Sequence, residues 1–167
     1  MKKGKVIWFT GLPCSGKTTI AKQVKKELEA KGEDVELLDG DTVRDYIKNT
    51  DFSKEGRNKH LRYISLMSKL LSERGTIVLC SFVSPYRENR DFAREIIDDF
   101  KEVFVKCDLK VCINRDVKGM YKKALAGEIK GFTGIDSKYE DPINPELTIH
   151  SDIEKEEESI KRVLELL

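Results

Sequence analysis

Val6–Val24 reads VIWFTGLPCSGKTTIAKQV, an apolar run that breaks into a loop bounded by Gly11 and Gly16 and ends on Lys17, Thr18 and Thr19. Gly11, four residues, then Gly16-Lys17-Thr18 fits the spacing G-x-x-x-x-G-K-[ST], placed after a strand-like run and before a helix-like one, where its mechanism needs it. Backbone N–H groups along Leu12, Pro13, Cys14 and Ser15 wrap a phosphate, apart from Pro13, which has none. The following helix points its positive end at that phosphate. Lys17 reaches the terminal phosphates, Thr18 offers its hydroxyl to Mg²⁺, and Thr19 extends the cradle. A turn that merely joined strand to helix would not need a lysine and two threonines in that order. The ligand is therefore a nucleoside triphosphate with Mg²⁺. The loop alone leaves open whether the γ-phosphate goes to water or to a second substrate.

Working outward, "KVIWF", "DVELLD", "TIVLCSF" and "EVFVKC" are short, nearly continuous apolar runs, with a weaker fifth at "ELTIH". Strands of a parallel sheet covered on both faces read this way. Helical periodicity lies between them, over Thr18–Lys31, Lys54–Arg74, Arg87–Phe100, Leu109–Arg115 and Ile153–Leu167, and Gly32 and Gly75 stand where the first two must stop. The alternation predicts one α/β domain over residues 1–167, a doubly wound, mostly parallel five-stranded sheet with helices on both faces. Residues 116–145 lack strand periodicity, and a segment of that length in a compact domain reads as a lid.

The chain has 167 residues with 31 basic and 30 acidic side chains, so no net field draws it to nucleic acid or to an anionic membrane surface. No apolar run approaches the ~20 residues a membrane span needs, and the N-terminus runs into the first motif without a cleavable leader. The expected location is the cytoplasm. Cys14, Cys80, Cys107 and Cys112 form no CxxC pair and read as reduced thiols rather than zinc ligands.

The stretch "LLDGDTVRDY" places Asp39, Asp41 and Arg44 just past the second strand, the carboxyl edge at which open α/β sheets bind ligands. Asp41 is the candidate to align an acceptor hydroxyl and share the Mg²⁺ shell, or else a helix N-cap. Arg44 and Arg57 could fork onto an anionic acceptor. No guanine-reading NKxD motif follows the later strands, which disfavours a GTPase.

Together, "GLPCSGKTTIA", "LDGDTVR", "FSKEGRNKHLR", "SFVSPYRENRDFAR" and "RDVKGMYKKALAGEIKGFTGIDSKYEDPINPEL" resemble the adenylylsulfate kinases, almost from end to end. The phosphate loop is widely shared, whereas the lid block is long and distinctive. The resemblance implies a P-loop kinase fold, transfer of the γ-phosphate of ATP to the 3′-hydroxyl of adenosine 5′-phosphosulfate, a homodimer, and an ATP sulfurylase that supplies the acceptor.

It also implies roles for particular residues. Phe52 and Phe132 match the aromatic pair that sandwiches the acceptor adenine, and Arg57 the residue on its phosphosulfate. Thr42, Val43, His60, Val83, Lys118 and Gly131 match further acceptor contacts, and Arg115 a lid residue near ATP. Ser84 matches a serine often described as a phosphoserine intermediate. No base adjoins it in the sequence, so a hydrogen-bonding role is the preferred reading. Pro13-Cys14-Ser15 stands where the family usually has Ser-Gly-Ala, and His60 where it has asparagine. A catalytically idle nucleotide-binding module and a kinase for another small alcohol are the remaining readings.

Overall fold

The computed structural model describes residues 3–167; Met1 and Lys2, on which the leaderless start partly rests, lie outside the described residues. Five strands, β1 (Val6–Thr10), β2 (Val35–Asp39), β3 (Ile77–Ser81), β4 (Phe100–Lys106) and β5 (Leu147–His150), form one sheet in the order β2-β3-β1-β4-β5. Every pairing is parallel, so the sheet is parallel throughout.

The continuous apolar runs have a direct cause. Side chains alternate along a strand, and here both faces are covered. Ile7, Phe9, Leu79, Val103 and Val105 point to the layer made by α1 (Lys17–Ala30) and α7 (Glu156–Leu164), packing on Ile20, Val24, Leu28 and Val163. Val6, Trp8, Val78 and Cys80 point to the opposite layer, made by α3 (Lys54–Glu73) and α4 (Arg87–Ile96), packing on Leu61, Ile64 and Ala93. Each buried Leu or Ile side chain contributes about 1.5–3 kcal/mol, so a polar residue anywhere on β1 is costly on either face.

The helix ends follow local rules. α1 stops where the Gly32 N–H returns to Glu29 O at 2.9 Å and the Glu33 N–H to Leu28 O at 3.1 Å, with Gly32 at φ 79. α3 starts at Ser53, whose hydroxyl accepts from the Gly56 N–H at 3.0 Å.

Two expectations need correction. The fourth helix ends at Ile96, not Phe100, because Ile97 turns extended and Phe100 already begins β4. The terminal helix begins at Glu156 rather than Ile153. Within residues 116–145 lies α6 (Met120–Leu125), opened by Asp116, whose carboxylate accepts from the N–H groups of Tyr121 and Lys122 at 2.9 and 3.0 Å. Two short helices complete the chain, α2 (Gly40–Ile47) and α5 (Leu109–Arg115).

Candidate active site

A cavity of about 940 Å³ opens at the carboxyl ends of β1, β2 and β3, which is where the connections diverge to opposite sides of β1. On one wall is the phosphate loop. Gly11 takes φ 151, and a Cβ there would stand 2.4 Å from Val105 O, so only glycine lets the loop lie against β4. Cys14 takes φ 61, a conformation that costs a non-glycine residue about 1–2 kcal/mol.

The Lys17 ammonium turns back on its own loop, donating to Gly11 O at 3.0 Å and Leu12 O at 2.7 Å. Burial pushes its pKa down to about 8, against the opposing pull of the nearby Cys112 and Cys14 thiols and of Asp39 and Asp41. A bound triphosphate would supply the missing negative charge.

Thr18 Oγ1 donates to Asp39 Oδ2 at 2.8 Å and meets Ser81 Oγ at 2.9 Å. Hydroxyl and carboxylate oxygens are the hard donors Mg²⁺ requires, so these groups fit the ion. Asp39, absent from the sequence-derived site, also accepts from the Thr42 N–H at 3.2 Å and is the N-cap of α2. Capping therefore belongs to Asp39, not Asp41. Asp41 instead forms an ion pair with Lys118, joining α2 to the lid across the cavity mouth.

Arg115 lies behind the phosphate loop, donating to Cys14 O at 3.3 Å and Ser151 O at 2.7 Å. Ser151 in turn donates to Ser15 O at 2.6 Å. Ser151 and Glu154, from the turn after β5, join Arg115, Gly16 and Thr19 in lining this end of the cavity, and nothing in their local sequence marks them.

The opposite wall carries the acceptor candidates. Phe52 is 55% exposed, with the Arg44 guanidinium 4.4 Å from its ring centre. Phe132 packs edge-on to Tyr121, ring centres 5.0 Å apart, so its glycine-flanked loop closes over a small apolar cluster. Arg57 is turned onto the lid, donating to Gly131 O at 2.5 Å and lying 3.4 Å from Thr133 Oγ1 and Ser137 Oγ.

His60 is 2% exposed. Its Nδ1 faces Asn49 Nδ2 at 3.4 Å, and its Nε2 is buried without a partner. Burial, assisted by the Arg44 charge, pushes its pKa down to about 4, so the ring is neutral near pH 7. Nε2 is thus free to meet a polar atom of a ligand.

Ser84 is 2% exposed and held at φ 41. Its hydroxyl accepts from Trp8 Nε1 at 3.0 Å and donates to Phe82 O at 3.2 Å. Neither partner is a base.

Five expected residues do not line this cavity, Gly11 and Ser15 being buried within the phosphate loop itself. Thr42 is turned to Asp39, Val43 packs into the core beside Leu38 and Leu61, and Leu12 faces a separate cavity of about 610 Å³ between β4 and residues 134–141 of the lid. Lys17, Thr18, Asp41, Arg44, Phe52, Arg57, His60, Val83, Ser84, Lys118, Gly131 and Phe132 do share the larger one.

This geometry can be set beside known proteins. Residues 3–150 match the family model of adenylylsulphate kinase. The chain is 50% identical over 167 residues to an adenylyl-sulfate kinase of Halothermothrix orenii, covering 99% of this chain and 90% of that protein. It superposes with a TM-score of 0.94 and 41% identity on the Mycobacterium tuberculosis APS kinase CysC, solved in complex with AMPPNP and APS, covering 99% and 98% of the two chains. A hexameric APS kinase from Thiobacillus denitrificans aligns at TM-score 0.74 and 26% identity over 99% of this chain and 29% of its own. On these matches over nearly its whole length, the chain belongs to the adenylylsulfate kinase family.

Proposed function

We propose that the chain transfers the γ-phosphate of ATP to the 3′-hydroxyl of adenosine 5′-phosphosulfate. The observation that carries this reading is the single cavity in which the phosphate loop faces Phe52, Phe132, Arg57 and His60. Lys17 follows the migrating phosphoryl group, and Thr18 with Asp39, or with Asp41 once Lys118 releases it, would hold Mg²⁺, which would neutralise charge on the phosphates. Asp41 is the carboxylate positioned to take the hydrogen bond of the acceptor hydroxyl. The two phenylalanines stack on the adenine, and Arg57 leaves its lid contacts to fork onto the phosphosulfate.

Ser84 is a hydrogen-bonding residue and transfer is direct. A nucleophile needs a neighbouring base, and the Ser84 hydroxyl is engaged by an indole N–H and a carbonyl. The acceptor is supplied by an ATP sulfurylase, and the four free cysteines suit a reducing cytoplasm. Two copies pair through α3, whose outer face carries Tyr63, Leu66, Met67 and Leu70 in an exposed apolar stripe.

A coupled ADP-release assay offering adenosine 5′-phosphosulfate, AMP, gluconate and water as acceptors tests the assignment. Release is expected with the first alone. Turnover on gluconate or AMP at a comparable rate would move the chain to another small-alcohol kinase, and release with water alone to a hydrolase.

A further inference from the structure

Arg90, on α4, is 2% exposed, and long cationic side chains are seldom so deeply buried without a specific set of partners. Its guanidinium spends each nitrogen on a different element. Nε lies 2.8 Å from Glu102 Oε1 on β4, an ion pair whose N–H does not point along the hydrogen-bond line. One terminal nitrogen donates to Ser84 O and the other to Glu140 O. The plane also stands 5.6 Å from the Tyr139 ring centre. The phenol of Tyr139 reaches Thr10 Oγ1 at 2.7 Å, and that hydroxyl donates to Val83 O at 2.8 Å.

Two facts about these partners matter. Ser84 sits at φ 41, a backbone conformation that persists only when its surroundings impose it, and the Arg90 contact falls on the carbonyl of that same residue. Glu140 lies at the C-terminal root of the lid. That root is fixed a second time by the Glu140 N–H to Pro85 O at 2.8 Å, and again by Arg87, whose side chain reaches Asp141 O at 2.9 Å. The other lid contacts described above, Lys118 to Asp41 and Arg57 to Gly131, are ones a bound acceptor would replace. The root contacts are not.

We infer that Arg90 is a positioning residue for phosphoryl transfer: it locks the acceptor-side loop at Val83–Pro85 to the lid root, so that lid closure and placement of the acceptor are one event. Arg90 touches neither the reacting phosphate nor the loop that holds ATP. Its loss is felt as a misplaced acceptor, because transfer depends on in-line alignment. The inference rests on the proposed acceptor and sharpens how that acceptor is held.

Arg94 provides an internal control. It pairs with the same Glu102 at 3.4 Å and with Glu146 at 2.5 Å, yet touches neither Ser84 nor Glu140. Trp8, the chain's single tryptophan, donates to Ser84 Oγ and so reports on the loop by its fluorescence.

The experiment compares wild type, Arg90→Lys, Arg90→Met and Arg94→Met. The active fraction is fixed by titration with a non-hydrolysable ATP analogue, and the readouts are kcat and KM for each substrate, analogue Kd and Trp8 emission. Lysine keeps the charge beside Glu102 and preserves folding, but it cannot bond two carbonyls and a carboxylate at once. Both Arg90 variants are expected to lose at least tenfold in kcat/KM for adenosine 5′-phosphosulfate and to shift Trp8 emission, with analogue Kd within twofold of wild type. Arg94→Met is expected to lower the melting temperature while kinetic constants per active site stay within twofold. Wild-type kcat/KM in Arg90→Lys would overturn the inference, as would an equal loss in Arg94→Met, which would reduce Arg90 to general packing. A wild type inactive on adenosine 5′-phosphosulfate would instead sink the proposed reaction.

Discussion

A buried lysine whose counter-ion is the ligand must be pH-sensitive in a particular direction. Lys17 is 7% exposed and its ammonium is hydrogen-bonded only to neutral oxygens, so burial pushes its pKa down to about 8 from 10.5 despite the nearby acidic groups. The unfolded chain keeps the higher value and binds more protons between those limits. Burial of the charge therefore weakens folding below about 8, and stability recovers as pH rises through that window. Affinity for ATP should run the other way, since the ammonium is the group that meets the phosphates. We expect the association constant to fall about tenfold per unit above pH 8, read by calorimetry between pH 7 and 9.5, and the slope to vanish in Lys17→Met. A flat profile in wild type would mean that backbone N–H groups, not the lysine charge, set affinity. At Ser84 the expected effect is smaller: removing its hydroxyl costs about 0.5–1.5 kcal/mol, or roughly two- to twelvefold in turnover, and more if the Trp8 N–H is stranded. A dead Ser84→Ala variant with acid-stable label on the wild-type protein after incubation with γ-labelled ATP would restore the phosphoserine route.

At the level of elements, the lid is held to the body by contacts of unequal strength. Lys118 and Asp41 are 63% and 78% exposed, and such a pair is worth about 0–1 kcal/mol, so the outer latch opens readily. Lys118→Met should raise KM for the acceptor several-fold and leave that for ATP unchanged. It should also speed tryptic cleavage within residues 116–131, followed by mass spectrometry; unchanged cleavage would show that Arg57 alone keeps the lid down.

The same elements show where reading a sequence succeeds and stops. The strands were legible because a sheet buried on both faces leaves no polar position to break the run, and the phosphate loop because its spacing is local. The six residues of α6 are too few to display a period, and Ile97 ends α4 inside a pattern that would have continued. Sequence places Asp39 at the carboxyl edge but gives it no role, because its bond to Thr18 spans 21 residues and exists only once the chain has folded. Arg90 carries no local signal in the sequence, and only its burial distinguishes it.

For the whole molecule, the arrangement of layers decides which surface is left to meet another copy. α1 and α7 cover one face of the sheet, α3 and α4 the other, and the cavity occupies the carboxyl edge. The outer face of α3 remains. Tyr63, Leu66, Met67 and Leu70 are 58%, 50%, 41% and 53% exposed and follow i, i+3, i+4, i+7, the spacing of a single helical face. Their counterparts Leu61, Ile64, Ser65 and Ser68 are buried against the sheet, so the stripe is additional to what the fold needs. A helix of 20 residues is about 30 Å long, and two such stripes laid antiparallel about a twofold axis would anchor an interface near the ~1,600 Å² typical of stable pairs, with flanking side chains making the rim. We expect the wild type to sediment as a dimer, with a melting temperature that rises with protein concentration, because association stabilises only the folded chain. Replacing Leu66 and Leu70 together by glutamate should give a monomer whose melting temperature no longer depends on concentration. Neither side chain lines the cavity, so ATP affinity per chain should persist. A double variant that still sediments as a dimer would place the interface on another face and leave the stripe for a different partner.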